Sequence, residues 1–352
     1  MKTIINELLH HRNRSRMLSF ALIIGSYLII EFLMHSIRIS RLFTSMLVPC
    51  CCYIILALSL NLVVGFSGEL SLGHAGFMAV GAFTAIIVSG LSAKMIPDPV
   101  IRLFISVLSG SILSGLTGLL ISVPVLKLSG DYLAIVTLAF GQIIKSLITN
   151  IYLGFDSNGL QLSFVTNELN LEQGKMLLSG PMGATDTAKI SNFSSGALLI
   201  VITLFVIYSL IDSKYGRAIM AARDDRIAAE SIGIDILRSK TLAFVASSIL
   251  AGAAGALYAL NYSTLQPAKF DFNTSILALV YVVFGGLGNI NGTIIATTVL
   301  YVLPELLRSL QDYRMLIYAI VLIIVMQLGS SVRLKRSMEK LKNRFSKKGV
   351  IR

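Results

Sequence analysis

The chain has 352 residues, 55% of them hydrophobic and 14% charged, with a mean hydropathy of +0.79; such a composition excludes an ordinary soluble enzyme or binding domain. A formal net charge of +12 would suggest nucleic acid in a soluble chain. Here the basic residues cluster in loops and tails, so a membrane accounts for them and no nucleic-acid partner is expected.

The N-terminus carries His10, His11, Arg12, Arg14 and Arg16 ahead of an apolar run to Met34. That run is too long for a signal-peptide core and reads as a retained first span. Three consecutive cysteines, Cys50, Cys51 and Cys52, sit inside the next apolar run. They lack the spacing of a disulfide framework or a metal site, so no metal is expected. Apolar runs of about 20 residues, the length that crosses hydrocarbon, predict ten spans. They fall at 17–36, 43–66, 69–91, 101–124, 131–151, 195–212, 241–261, 273–288, 290–308 and 313–331. The expected fold is therefore all-α, a polytopic transmembrane helix bundle over residues 17–331. Asp131 is expected to cap the fifth span. Gly110, Ser114 and Gly118 form a row of small residues four apart, and Ser248, Gly252 and Ala256 form another, with Ala251, Gly255 and Ala259 beside it. Such rows let helix backbones approach closely.

Ten crossings place both termini on one side, and six spans before Ser213 place the segment 213–240 there too. Under this scheme 20 of the 30 Lys/Arg fall on that side. Positive charge marks the cytoplasmic face. Residues 1–16 then form a basic cytoplasmic N-terminus, and 332–352 a basic cytoplasmic tail against anionic lipid. Residues 152–194 become an Asn/Ser/Gly-rich extracytoplasmic loop, long enough to dock a partner.

The segment from Ser213 to Lys240 is polar, carries six Lys/Arg, and lies between two membrane-length apolar blocks. Ala218 to Ala222 favour helix, and Asp224 or Asp225 can cap a second one. Ile227, Ala228, Ala229 and Ile232 give that second helix an apolar edge, and Gly233 supplies a left-handed stop. A short capped helix between spans is suited to being gripped by a cytoplasmic partner.

Two stretches are interrupted by glycine at membrane depth, Asn61 to Gly81 and Val282 to Thr293. Glycine-interrupted spans in comparable positions of two halves predict broken helices. Non-helical backbone is tolerated there when it is buried in protein or lines a wet cavity. Gly68, Glu69, Ser71, His74, Gly285, Gly286 and Asn289 are the candidates for a translocation path. The other reading of Glu69 and His74 is architectural, a helix cap and a structural histidine. No G-x-x-x-x-G-K-[ST] phosphate loop, G-x-S-x-G or H-E-x-x-H motif occurs in the sequence. The expected protein is not an enzyme, and it has no catalytic residues and no cofactor of its own.

Four stretches carry a family resemblance: ALSLNLVVGFSGELSLGHAGFMAVGAFTA (57–85), LKLSGDYLAIVTLAFGQII (126–144), GRAIMAARDDRIAAESIGIDILRSKTLAFVASSILAGAAGALYA (216–259) and FGGLGNINGTIIATTVLYVLPELLRSLQDYRMLIYAIVLIIVM (284–326). Together they resemble LivM-type permeases, the membrane subunits of ABC importers for branched-chain amino acids. The resemblance implies a second permease subunit of LivH type, two cytoplasmic ATPases that bind ATP and Mg, and an extracytoplasmic substrate-binding protein. It implies a prokaryotic cell membrane and alternating access driven by the ATPases. Ala228, Ala229 and Gly233 match the Ala-Ala-x-x-x-Gly core of the coupling loop in such permeases, and Arg223, Arg226 and Glu230 would supply contacts at its rim. Ile227 stands where the wider superfamily often has Glu. GFDSNGL (154–160) departs from the usual Gly-Gly-Pro-x-Gly turn, and MQLGSSV from a Pro-x-Gly-Leu ending. Urea or short amides are the alternative cargo, and an ion-coupled secondary transporter is the alternative class.

Overall fold

The computed structural model describes residues 2–36, 41–93, 95–128, 130–156, 159–164 and 175–306, together with 320 and 323. The chain divides into two units. The first, Met1–Thr298, holds the packed helices; of the second, Val299–Arg352, the described part is the end of the last helix and two isolated residues.

In hydrocarbon a backbone group without a partner is costly, so apolar runs of membrane length fold as helices that satisfy their own backbone. In chain order the helices are α1 (Lys2–Ser36), α2 (Arg41–Asn61), α3 (His74–Ser92), α4 (Pro99–Val125), α5 (Asp131–Thr149) and α6 (Phe193–Asp212). They continue as α7 (Lys214–Asp224), α8 (Arg226–Ser231), α9 (Ile236–Ala259), α10 (Phe272–Gly285) and α11 (Ile290–Leu306). Eight are long and apolar enough to cross a membrane, six of them before Ser213, and α11 is a shorter apolar helix. Nine of the ten expected spans thus have a counterpart among the described residues. The tenth, 313–331, lies almost wholly outside them, as does the basic tail 332–352.

Several boundaries differ from expectation; α9 begins at Ile236 rather than at 241, so the end of the expected loop 213–240 is helical. The third span begins at His74 rather than at 69, because residues 68–73 are not helical. The cap position of α5 is Gly130, with φ 65°, and Asp131 is already the first helical residue.

The strictly all-α expectation is also corrected. Residues 152–179 include a three-stranded antiparallel sheet, β1 (Tyr152–Asp156), β2 (Gly159–Ser163) and β3 (Lys175–Ser179), in the order β2-β1-β3. Leu153 pairs with Leu162 on one side and with Leu178 on the other. Five-residue strands with one or two leucines each are too short to stand out from the surrounding polar composition. Beyond β3 the chain runs along the end of α9. Ala184 bridges Leu265, the Thr187 N–H donates to the Ser263 carbonyl at 2.9 Å, and Ile190 donates to Leu260 at 3.0 Å.

The core is built from α3, α4 and α9, and the rows of small residues are its contact surface. A Cβ on Gly255 would lie 1.9 Å from the Met78 carbonyl oxygen, and one on Gly252 would lie 2.4 Å from Ser114 Cβ. Gly118 faces Ser248 as closely, at 2.3 Å. The Ser114 hydroxyl, buried between these helices, donates to the Ser248 carbonyl at 2.7 Å. Spans in lipid gain little from hiding apolar area from each other, so close backbone packing and such bonds hold them together.

Helix α9 gives the first unit its axis. Its start adjoins α7 and α8 and its end adjoins the sheet segment, so these two features lie at opposite ends of a 24-residue helix, about 36 Å long at ~1.5 Å per residue. Arg16 pairs with Asp212, bringing the start of the first span to the α7 end.

Replacing Gly255 by Leu is expected to destabilise the detergent-solubilised protein by about 1–3 kcal/mol through overpacking, read as a lower Tm. Gly25→Ala, on α1 where a Cβ meets nothing within 4 Å, is expected to leave Tm unchanged or slightly raised. Equal melting of Gly255→Leu and the parent would contradict the packing of α9 on α3.

Candidate functional site

The segment between α6 and α9 is fixed by a series of caps. The Ser213 hydroxyl accepts from the Gly216 N–H at 3.2 Å and opens α7. Asp225, extended at φ −151°, ends α7 and opens α8 by accepting from the Ala228 N–H at 3.0 Å. Of the two aspartates expected as caps, Asp225 therefore takes the role. Gly233 has φ +83°; its N–H donates to Glu230 at 3.0 Å, and that of Ile234 donates to Ala229 at 3.1 Å. Only glycine adopts this conformation at little cost, and it is what stops α8. Asp235 then caps α9 by accepting from the Arg238 N–H at 3.0 Å.

The expected apolar edge of α8 divides in two. Ala229 is buried with Ala222 and Ile236, and this small cluster seats α8 on α7 and α9. Ile227 and Ile232 point outward, 80% and 74% exposed, and Ala228 is exposed between them. Arg226 and Glu230 pair with each other at 3.1 Å on the exposed surface. Arg223 behaves differently from the other proposed rim residues: its Nη1 donates to the Gly65 carbonyl at 2.9 Å, and it also pairs with Asp224 at 2.7 Å.

Gly65 belongs to the first of the two helix breaks. After Asn61, α2 continues as a π-helical turn, Leu62–Ser67, ending on Gly68 at φ +75°. Residues 68–73 are irregular, and α3 begins at His74. The backbone groups freed here are taken up from neighbouring helices. The Leu72 N–H donates to the Thr137 hydroxyl at 3.1 Å and the Ala75 N–H to the Ser275 hydroxyl at 3.0 Å. Glu69 forms an ion pair with Lys240 of α9, both side chains being mostly buried. His74 is buried, with Nε2 2.8 Å from the Ser59 hydroxyl. That hydroxyl gives its own hydrogen to the Leu56 carbonyl at 2.7 Å, so the imidazole is the donor. Ser71 and Ser67 are buried, and their hydroxyls have no partner among the described residues.

The second break follows α10. Gly286 and Gly288 have φ +89° and +76°. Gly285 is packed so closely on α11 that a Cβ would lie 2.4 Å from Thr293 Cα. Asn289 opens α11 by accepting from the Gly292 N–H at 3.2 Å. The two breaks meet, since a Cβ on Gly65 would be 2.3 Å from the Gly288 nitrogen. Asn61 joins them: its Oδ1 accepts from the Gly288 N–H at 2.9 Å and its Nδ2 donates to the Thr293 hydroxyl at 3.0 Å.

The candidate path residues thus belong to the breaks themselves. Gly68 and Glu69 are held by Arg223 and Lys240, His74 and Ser71 are buried, and Gly285, Gly286 and Asn289 shape the second turn. Sequence reasoning did not single out Asn61 or Lys240. A polar amide one turn before a glycine, and a lysine at the start of a span facing a carboxylate at the start of another, are the signals that mark them. Among the described residues no group of His, Cys, Asp and Glu could hold a metal ion, and the three cysteines are buried and unbridged.

Broken spans packed on a small-residue core, with a capped helix pair between spans, are those of a multi-pass helical membrane protein. The chain belongs to the family described as the branched-chain amino acid transport system permease component, whose model matches residues 42–326. It is 36% identical over 294 residues to the high-affinity branched-chain amino acid transport permease LivM of Salmonella typhimurium, covering 78% of this chain and 65% of the relative. Against LivM of Escherichia coli K12 the identity is 34% over 313 residues, 84% of this chain and 71% of the relative. The matches thus span about two thirds of these relatives' length. LivH of Salmonella typhimurium is 26% identical over 146 residues, 41% of this chain and 46% of the relative. No solved structure matches the chain.

Asn61→Leu is expected to destabilise the protein by about 1–3 kcal/mol for each buried group it strands, measured as thermal unfolding in detergent. Thr293→Val, which removes one of the two bonds, is expected to lower Tm by less. An unchanged Tm in Asn61→Leu would mean that the amide does not join the breaks.

Proposed function

We propose that this chain is the membrane-spanning translocation subunit of an ABC importer for branched-chain amino acids. It pairs with a LivH-type second permease. Two cytoplasmic ATPases, holding ATP and Mg, drive alternating access, and an extracytoplasmic binding protein delivers the cargo. The observation that carries this reading is α8: a short helix capped at both ends, seated by Ala229, with Ile227 and Ile232 open to solvent. An isolated helix of this length is unstable in water, so its capping and seating serve a rigid contact. Two outward isoleucines with a charged rim suit insertion into a groove on a partner.

The α7–α8 end of the bundle faces the cytoplasm in this proposal. Arg16, Lys214, Arg217, Arg223, Arg226, Arg238 and Lys240 gather there, in keeping with the excess of positive charge on cytoplasmic loops. The sheet end then faces outward, and its exposed Leu162, Phe164 and Met182 are available to a binding protein. The membrane is the prokaryotic cell membrane. Gly68, Glu69, Ser71, His74, Gly285, Gly286 and Asn289 contribute to translocation by forming the breaks about which spans rearrange, and the path itself is shared with the second permease.

Ile227→Asp and Ile232→Asp are each expected to weaken binding of the ATPase subunits by about tenfold or more, the loss of one buried Ile contact. Membrane insertion should be kept, and co-purification from solubilised membranes is the measurement. Undiminished recovery of the ATPases would remove α8 from the interface. Gly233→Pro, which forbids φ +83° and removes the N–H bonded to Glu230, is expected to insert normally and to separate ATP hydrolysis from leucine uptake in proteoliposomes. Normal uptake per ATP in that variant would reject the coupling role of the segment.

A further inference from the structure

The importer reading above leaves open how movement of α8 would reach the spans, and the following rests on that reading. In sequence α8 is bracketed by two cations, Arg223 before it and Lys240 after it. Both reach the same short piece of chain, the π-helical turn and its exit. The Glu69 N–H, which would close an α-helical bond to Gly65, turns to the Val63 carbonyl at 3.1 Å, and Gly68 donates to Val63 as well. The Gly65 carbonyl is thereby left to a side chain, and the Arg223 guanidinium takes it at 2.9 Å. The stem of Arg223 lies across Gly68, where a Cβ would be 2.6 Å from its Cγ. Four residues beyond Gly65, the Glu69 carboxylate pairs with Lys240, their side chains only 12% and 15% exposed.

We propose that Arg223 and Lys240 are positioning residues that pull the Gly65–Glu69 segment along when α8 moves. The segment in turn shifts Gly288, which it touches, so one displacement at α8 reaches both helix breaks. Helix α8 itself is seated on α7 and α9, the helices that carry Arg223 and Lys240, by the cluster of Ala222, Ala229 and Ile236. Small apolar contacts of that kind slide, whereas a hydrogen bond and a mostly buried ion pair resist separation, because parting them strands a carbonyl and a poorly hydrated charge. The π-helical turn is a suitable receiver: its ladder is already out of α register, so it can shift without breaking a continuous helix.

The test uses the complete importer in proteoliposomes, this chain with its second permease, ATPases and binding protein, and reads leucine taken up per ATP hydrolysed. Arg223→Met keeps the reach of the side chain and loses the donor; Lys240→Met and Glu69→Gln each remove the ion pair. In each, leucine per ATP is expected to fall about two- to thirtyfold, the range for substitutions along a coupled network, with ATPase co-purification unchanged. The reversed pair, Glu69→Lys with Lys240→Glu, is expected to regain most of the parental ratio, and it decides the matter if a single variant assembles poorly. Parental ratios in the single variants overturn the proposal. So does a parallel fall of uptake and hydrolysis with loss of assembled complex that the reversed pair fails to restore. An unaltered assembly that moves no leucine when supplied with ATP overturns the importer reading and this inference together.

Discussion

Asn61 lies where a helix in hydrocarbon is most exposed to failure, at the point where its hydrogen-bond ladder leaves register. Its side chain accepts from one broken span and donates to the helix that follows that break. The amide is suited to this because it offers a donor and an acceptor on one planar group. A hydroxyl donates and accepts from a single oxygen and so cannot reach two partners from two atoms, and a carboxylate has no hydrogen to give when ionised. Gly65 and Gly288 allow the contact by having no side chains to separate the two backbones. Two interruptions, each expensive alone, are thus joined through the buried Asn61 amide, which takes up the Gly288 N–H although Leu287 and Asn289 on either side of it are exposed.

The charges at this end of the bundle follow the same logic. Glu69 near the start of a span would be a liability without Lys240, and Lys240 in the second turn of α9 would be one without Glu69. Removing either leaves a poorly hydrated charge, which is far costlier than the net value of the pair. Arg223 is less buried and its pairing with Asp224 is worth little in itself. Its hydrogen bond to a carbonyl of the break is the part of its environment that only this fold provides. A basic segment between spans therefore has two uses at once. The cluster as a whole fits the rule for orientation, and two of its members are turned inward to hold a break.

Much of this was legible in the sequence where a feature is local. Apolar runs of membrane length located nine of the described helices, and the order of caps around α8 follows from Asp225 and Gly233 within a few residues of chain. The rows Gly110, Ser114, Gly118 and Ser248, Gly252, Ala256 announced close packing, although not that they would face each other. What remained hidden depends on partners distant in sequence. Arg223 reads as a surface cation until Gly65, 158 residues away, is brought beneath it. The sheet escaped because its strands are five residues long, and period-two alternation needs more length to be distinguished from loop composition. Ile227, Ala228, Ala229 and Ile232 read as one edge on a helical wheel. Packing of Ala229 against Ala222 and Ile236 divides them, and it is this division that leaves the isoleucines free.

Rigidity is distributed unevenly through the first unit, and the distribution matches a transport role. Helices α3, α4 and α9 meet backbone to backbone, through glycines whose added Cβ would lie within about 2 to 3 Å of a neighbour. Such contacts leave no slack, so these three helices can only move as a block. The breaks are held otherwise, by single side-chain bonds from Asn61, Thr137, Ser275, Arg223 and Lys240. The neutral bonds of Thr137 and Ser275 can be exchanged for others at small net cost, whereas parting Arg223 from the Gly65 carbonyl or Lys240 from Glu69 strands a carbonyl or a poorly hydrated charge. Helix α9 carries both kinds of contact, with Lys240 at the end near α8 and Gly252 and Gly255 deeper in the block. A displacement of its first turns would strain the ion pair before it disturbed the packed glycines. Motion applied at α8 would therefore be expressed first at the breaks, which is the part of the bundle that can change without coming apart.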